Sequence, residues 1–156
     1  IHWKNPIEYH DEDISLYTEE EWNRYMKDNQ PCILTMAFAK SFKEAFITFF
    51  KETTGKKGTD FSRAFNVNGQ IVPISFAEAR IEDAIVPTTG LGSTSVISTT
   101  NVFSGWKCEI EVSCADIVFP PETVLSIIDA TGKYIGIGTQ RSNGFGRYHI
   151  TNVEVI

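Results

Sequence analysis

Apolar residues recur at helical spacing in the first third of the chain and predict two helices there. A capping box that opens at Thr18 predicts a short helix over about 18–28. A second capping box opens at Ser41, and Gly55 is the expected end of the main core helix. We expect this helix to pack against a sheet through an apolar stripe, which consists of Phe42, Ala45, Phe46, Phe49 and Phe50.

A third helix is predicted from Pro121 to Thr131, because proline is tolerated in a first helical turn and Gly132 follows as a stop. Strands are predicted where apolar and polar residues alternate. These stretches are about 79–86, 96–103, 105–115 and 148–156. In the third of them the residues from Trp106 to Cys114 alternate clearly, so one face of that strand is expected to be buried.

The dipeptide Asn68-Gly69 favours a two-residue hairpin turn between strands over 65–68 and 70–75. Residues 87–95 contain glycine, proline and many hydroxyl side chains, which predicts a mobile loop.

The order of elements is helix, core helix, hairpin, strand, strand pair, helix, glycine-rich loop and strand. Antiparallel strands against two main helices are typical of an α+β fold. With one more strand ahead of the core helix, the order would be that of a ferredoxin-like split βαβ unit.

A chain of 156 residues, 42% of them apolar, has the size and composition of one globular domain, which we assign to 1–156. The sequence contains neither a membrane-length apolar run nor a signal-peptide pattern at its start. The cysteines Cys32, Cys108 and Cys114 form no CxxC pair and are interpreted as buried thiols of a reducing compartment. We therefore expect a cytoplasmic protein, in a cell or in an infected host cell.

The net charge of −6 is unevenly distributed along the chain. Residues 1–30 hold eight acidic and three basic side chains, whereas residues 40–63 hold six basic and three acidic ones. Such a segregated chain can present one basic face although its total charge is negative. A solvated surface with no ligand is the alternative.

The segment 132–149 combines glycines with the cations Lys133, Arg141 and Arg147. Glycine permits close approach of a backbone to a ligand, and the guanidinium fork of arginine matches phosphate oxygens. Aromatic side chains that could stack on bases are also present: Tyr134, Phe145 and Tyr148. The alternative is that the glycines only mark a bulge and a turn. The segment fits neither a dinucleotide fingerprint nor a P-loop, so we expect no cofactor.

The string GIGTQRSNGFGRYHI, which follows the third predicted helix and precedes a strand, resembles the glycine-rich loop of the RAMP superfamily, the RNA-binding subunits of CRISPR effector complexes. It is especially similar to phage-encoded RAMP-like proteins that end in an AG-x-x-IGIG-x-x-R-x-x-G-FGRF pattern. Residues 130–148 depart from that pattern by an inserted Thr131 and by Thr139-Gln140 where the group often has Asp-Trp.

The resemblance implies a modified ferredoxin-like, RRM-like fold in which the loop after the second helix contacts the nucleic-acid backbone and subunits assemble side by side. It also implies a first strand just before Ile1, outside this chain. The leading hypothesis is a non-catalytic protein that binds single-stranded RNA or DNA, as a homo-oligomer or in a multi-subunit complex. The expected contacts are Gly136, Gly138, Gly144, Gly146, Lys133, Arg141 and Arg147, extended by Lys40, Lys43, Lys51, Lys56 and Lys57.

Two other functions stay open. Some RAMP relatives cleave RNA, and His10 and His149 are the candidate acid–base residues for such an endonuclease. The third hypothesis is a viral protein-interaction or decoy module whose acidic N-terminal part mimics nucleic-acid charge. The run Asp11-Glu12-Asp13 is interpreted as solvated loop, and no metal is assigned.

Overall fold

The computed structural model describes residues 2–8, 13–18, 31–87, 95–138, 141 and 144–155. The helix predicted over 18–28 falls almost wholly outside these ranges, as does most of the loop predicted over 87–95. Strand β1 runs His2–Glu8, β2 Asp13–Thr18, β3 Cys32–Leu34, β4 Phe65–Val67 and β5 Ile71–Ser75. The later strands are β6 Glu78–Pro87, β7 Ser95–Ser104, β8 Lys107–Cys114, β9 His149–Ile150 and β10 Glu154–Val155.

The helices lie on one side of the larger sheet, in which β8 is the central strand. Helix α1 runs Thr35–Ala45 and continues without a break through a π-helical segment, Phe46–Phe50, into α2, Lys51–Thr54. Helix α3 runs Gly58–Ala64. Helix α4 runs Pro121–Ala130 and continues into a second π-helical segment, Thr131–Ile135.

Strand β8 is the centre of the larger sheet. It pairs with β1 on one side and with β4 and β5 on the other, and every pair in this sheet is antiparallel. Beyond β1 lie β9 and β10, and beyond β5 lies β3. The last strand thus lies beside β1, and β1 lies beside the central strand β8. This is the ferredoxin-like arrangement.

The first strand of this sheet lies within the chain. Strand β1 pairs with β8 over seven consecutive residues, from His2 opposite Ser113 to Glu8 opposite Lys107. The expectation that this strand precedes Ile1 is therefore wrong, because residues 2–8 themselves occupy its place in the sheet.

The predicted hairpin at Asn68-Gly69 is not formed. Strands β4 and β5 both pair with β8, with Phe65 opposite Cys114 and Ile74 opposite Cys108, so the chain continues in one direction across the dipeptide. The ten residues from Phe65 to Ile74 lie opposite the seven from Cys108 to Cys114, and the excess forms a bulge in which Gly69 takes φ +84°. Thr35 holds the bulge, since its hydroxyl donates to Gly69 O at 2.9 Å and its amide to Gln70 O at 3.1 Å.

The inserted hairpin is formed by later strands. Strands β6 and β7 pair over ten residues, from Glu78 opposite Ser104 to Pro87 opposite Ser95, and β2 pairs with the other edge of β7. This second, three-stranded sheet confirms the strands predicted over 79–86 and 96–103.

The core helix begins earlier than its pattern predicts. Helix α1 starts at Thr35, and Ser41 is buried within it, so the Ser41 capping box is not a helix start. The predicted end is confirmed: Gly55 is left-handed, with φ +66°, and its amide donates to Lys51 O at 3.1 Å.

Aromatic rings fill the space between the helices and the sheet. Phe61 of α3 stacks on Phe46 at 5.0 Å and on Phe65 at 4.9 Å between ring centroids, while Phe119 meets Phe46 edge-on. Every second side chain of β8, from Cys108 to Cys114, is buried on the sheet side of this core, as the alternation predicts. Trp106, just before β8, is buried as well. Burying such rings is the largest favourable contribution to folding in a core of this kind.

The cysteines are buried thiols, as the sequence predicts. Within the described ranges, the structure contains no helix that is both long and apolar enough to span a membrane.

Burial raises the pKa of the Cys108 and Cys114 thiols, because a thiolate loses its solvation there. Since the thiolate is the reactive form, we expect the thiols of the native protein to react with an aromatic disulfide reagent about tenfold more slowly, or slower still, than those of the unfolded chain. The absorbance of the released thiol measures both rates. A thiol that reacts at the unfolded rate in the native protein would contradict the placement of the cysteines.

Candidate functional site

The glycine-rich segment starts inside a helical turn. Helix α4 does not end at Gly132 as predicted, because the chain winds on through the second π-helical segment, which closes with a bond from the Gly136 amide to Thr131 O at 2.7 Å. Gly132 is buried, and a Cβ there would overlap the carbonyl oxygen and the ring of Tyr148. Glycine at this position lets Tyr148 lie directly on the helical turn, where its amide donates to Gly132 O at 3.1 Å.

Two further glycines allow close contact between two parts of the segment, which we call its limbs: the part at Gly136 and Ile137 and the part at Phe145 and Gly146. Gly136 and Gly146 both take positive φ, +82° and +81°, and both are buried. A Cβ on Gly146 would overlap Ile137 O, and the Ile137 amide donates to Gly146 O at 3.0 Å. The Gly136 amide is thus bonded within the turn, and the predicted phosphate contact of Gly136 stays a prediction. Gly146 is likewise a packing residue.

The remaining glycines lie further out. Gly138 and Gly144 both have φ +90°, and Gly144 is exposed with open space around it. The Gly144 amide donates to Arg141 O at 3.0 Å and closes a turn at the tip of the segment. The glycines thus fix the backbone from which the cations project.

The three cations of the segment have defined surroundings. Arg141 forms an ion pair with Glu44 of α1, with 3.2 Å between Nη1 and Oε2, at a solvent-exposed position. Arg147 donates from Nη1 to Lys133 O at 3.1 Å. The Lys133 ammonium lies 5.4 Å from the centroid of the Tyr134 ring, within cation–π range. The fold thus brings Arg147 and Lys133 together, and it places Arg141 against α1.

The lysines predicted to extend this track lie around the core helix and on the side facing α3. Lys40 and Lys43 line a groove of about 250 Å³ between α1 and α3, together with Phe61 and Ser62. Lys56 borders a second groove beside Arg63 of α3. Lys51 and Lys57 are exposed. The structure thus places Lys40, Lys43 and Lys56 beside α3, whereas Glu44 of α1 contacts the glycine-rich segment through Arg141.

Two aromatic side chains are exposed beside the cations. Tyr134 is 52% exposed and Phe49 is 44% exposed, and their ring centroids are 5.3 Å apart at an angle of 48°. Phe145 is half-buried. Tyr148 is buried against Trp106, with its hydroxyl donating to Ile128 O, so its predicted base stacking is wrong. We call Phe49, Lys133, Tyr134, Arg141 and Arg147 the loop surface.

Sequence reasoning placed Phe49 in the core stripe and missed it as a surface residue. The α-helical period puts Phe49 three residues after Phe46, on the same face. The π-helical segment Phe46–Phe50 has more residues per turn, which rotates Phe49 outward while Phe46 stays buried. A run of bulky residues with no helix breaker gives no signal of that change.

Of the two candidate acid–base residues, one falls within the described ranges. His149 is exposed on β9, opposite Glu8 of β1 in register. His10 lies outside the described residues.

The opposite face of the sheet is polar and acidic. Lys107, Glu109 and Glu111 are exposed along β8. The Asn68 side chain donates a hydrogen bond to the Glu111 carboxylate at 3.2 Å and also to the Ser113 hydroxyl. We call these outward positions of β8 the outer sheet face. Among them there is no aromatic side chain, whereas RRM domains stack bases on aromatics at that place.

Comparison with known proteins gives matches of structure. No family model and no curated protein sequence matches this chain. A chain from the cryo-EM structure of a Type III-B Cmr-beta complex bound to cognate target RNA matches with TM-score 0.66 and 11% identity, over 99% of this chain and 60% of that chain. A chain of a Type IV-B CRISPR complex matches with TM-score 0.53 and 12% identity, over 99% of this chain and 91% of that one. Cmr6 from Pyrococcus furiosus reaches TM-score 0.49 at 12% identity, covering 97% of both chains.

The fold is RAMP-like. The matches confirm the predicted α+β, ferredoxin-like class with an antiparallel sheet and packed helices. At 11–12% identity they establish the fold alone, and this chain spans only 60% of the length of the Type III-B chain.

The glycines of the segment yield a prediction for stability. Gly146→Ala adds a methyl group that overlaps Ile137 O at a positive φ, and we expect it to lower the free energy of unfolding by about 3 kcal/mol or more. Gly144→Ala is the matched control, because it has the same sign of φ but nothing within 4 Å, and should cost about 1 kcal/mol. Urea unfolding followed by circular dichroism measures both, and equal destabilisation would contradict the close contact of the two limbs.

Proposed function

We propose that this chain is a non-catalytic protein that binds single-stranded RNA and acts as a RAMP-type subunit of an oligomer or a multi-subunit complex. The observation that carries the proposal is the loop surface, where three cations and two exposed aromatic rings project from a backbone held by close-packed glycines. Cations bind the phosphates of a strand, and rings bind its unstacked bases. The C-terminal sequence pattern favours a phage-encoded source.

The fixed backbone strengthens the case for binding. A guanidinium carries five N–H donors, so the bond from Arg147 to Lys133 O orients its fork without consuming it. A cation held in place loses little conformational entropy when it meets a phosphate. The loop surface therefore suits recognition of a backbone by shape and charge.

Glu44 occupies the position that a phosphate would take at Arg141. An exposed ion pair of this kind contributes little to stability, typically about 1 kcal/mol or less. Replacing the carboxylate by a phosphate oxygen therefore costs little free energy. Arg141 can bind a ligand while the turn stays folded.

The related folds support the same function. Two matches with TM-scores above 0.5 come from CRISPR complexes, one of them bound to target RNA. Both are parts of larger assemblies, which supports the proposal that this chain acts as a subunit.

The loop surface supports binding rather than cleavage. Fixed cations and aromatic rings hold a strand, whereas acid–base catalysis needs a group that titrates near neutral pH. The described imidazole nearest in sequence, His149, lies on β9 and not in the loop surface.

Binding to single-stranded RNA should weaken steeply as salt increases. Replacing both Arg141 and Arg147 by alanine leaves two phosphates without a cation, so the slope of log affinity against log salt should fall by about 0.7 for each of these phosphates. Fluorescence anisotropy with labelled single-stranded RNA and DNA at several salt concentrations measures the slope. RNA is expected to bind more tightly than DNA of the same sequence.

Lys107→Ala is the matched control for charge, because Lys107 lies on the outer sheet face. It should leave the slope unchanged. Salt-independent affinity, or a Lys107 variant whose slope also falls by about 0.7, would contradict the proposed site.

Removal of the carboxylate at position 44 should tighten binding. Glu44→Gln keeps the shape of the side chain but releases Arg141, and we expect affinity for single-stranded RNA at low salt to rise up to about fivefold. Glu52→Gln, an exposed carboxylate of α2, controls for the general change in charge. Equal effects of the two substitutions would show that Glu44 does not compete with the ligand.

A further inference from the structure

Both exposed rings of the loop surface stand on π-helical turns. Phe49 belongs to the segment Phe46–Phe50 and Tyr134 to the segment Thr131–Ile135. In each segment the wider turn changes the direction of the side chains relative to the preceding α-helix. Isolated π-helical turns are rare and are frequent at functional sites, and here two of them meet through their aromatic side chains at 5.3 Å.

These rings differ from the other aromatics of the helical layer. Phe38, Phe42, Phe46 and Phe61 are buried in the core cluster, whereas nearly half of Phe49 and half of Tyr134 remain in contact with water. With a 48° angle between them, the rings form an open wedge rather than a closed stack. Each ring therefore keeps surface on which a planar ligand can lie.

The charges around the wedge identify the ligand. Lys133 has its ammonium 5.4 Å from the Tyr134 ring centroid, and its carbonyl accepts from Arg147 at 3.1 Å. Cations that flank a pair of exposed rings complement a ligand with an aromatic part attached to an anionic part. A nucleotide of a single strand has that chemistry.

We propose that Phe49 and Tyr134 form a stacking place for one unpaired base of a bound single strand, while Lys133 and Arg147 hold the adjacent phosphate. The inference rests on the proposed function and adds to it a base-binding position on the helical side of the fold. The site reads no sequence by itself, because every base has a face that stacks.

The test compares variants that keep the apolar volume but remove the ring. Phe49→Leu and Tyr134→Leu should each weaken binding of single-stranded RNA about tenfold, because base–aromatic stacking is removed. The salt slope should stay unchanged, because every phosphate keeps its cation. Phe76→Leu is the matched control, since Phe76 is also an exposed ring, 39% exposed, packed at 4.8 Å against Phe103 away from the loop surface.

A direct readout of stacking comes from the shortest single-stranded RNA that still binds with full affinity, so that one register is bound, with 2-aminopurine at successive positions. One position should be quenched by the native protein and by the Phe76 variant, and the quenching should be absent in the Phe49 and Tyr134 variants. Should either variant fail to fold, the native protein gives the same information with oligonucleotides made abasic at one position at a time. Removal of one particular base should then weaken binding about tenfold.

The outcomes separate this inference from the proposed function. If the native protein binds RNA with a salt slope but the two ring variants bind as tightly, or every abasic position costs the same, the stacking place is refuted and the RNA-binding function stands. If the native protein binds no RNA, both fail. Capture of a protein partner that competes for Phe49 and Tyr134 in the absence of RNA binding would assign the wedge to a protein interface.

Discussion

The contact of two backbone limbs at the end of α4 is the constraint on which the candidate site depends. Gly132 lies under Tyr148, and Gly146 lies against Ile137 O, at distances that leave no room for a Cβ. Tyr148 in turn packs edge-on against Trp106, which precedes the central strand β8. The glycine-rich segment is thereby tied both to its helix and to the middle of the sheet. Because the backbone is held at these contacts, Lys133 and Arg147 project from defined points, and little ordering of them is left for a ligand to induce.

The same sheet separates two kinds of surface. Its inner face carries the helices and, beyond them, the loop surface with its cations and exposed rings. Its outer face presents Glu109 and Glu111 with a bonded Asn68 and no aromatic platform along β8. The face that RRM domains use for stacking bases thus has no aromatic side chain along β8, whereas exposed rings and cations lie on the helical side.

Much of the fold could be predicted from the sequence, because its long strands alternate and its helices carry clear stripes. Strand β8 and the end of α2 at Gly55 follow from patterns that act within a few residues. The errors come from partners that are distant in sequence. Asn68-Gly69 forms a bulge rather than a hairpin because β8 accepts both flanking strands, and Ser41 lies inside a helix that starts with Thr35 bonded to Gly69 and Gln70. Phe49 is exposed because a π-helical turn changes the period, and Tyr148 is buried because Gly132 makes room for it.

The cations of the segment were predicted, since charge and glycine content are visible in the sequence. The roles of Gly136 and Gly146 were not, because packing of one limb on the other is a long-range contact.

Photochemical cross-linking of single-stranded RNA to the native protein, with the linked peptides identified by mass spectrometry, tests the central claim most directly. If the strand binds at the loop surface, cross-links are expected in peptides that contain Phe49, Tyr134 and the Arg141–Arg147 stretch, on the helical side of the sheet. Cross-links concentrated on the outer sheet face, in the peptide from Lys107 to Ser113, would contradict it, because the strand would then lie on the side where RRM domains bind and not on the loop surface.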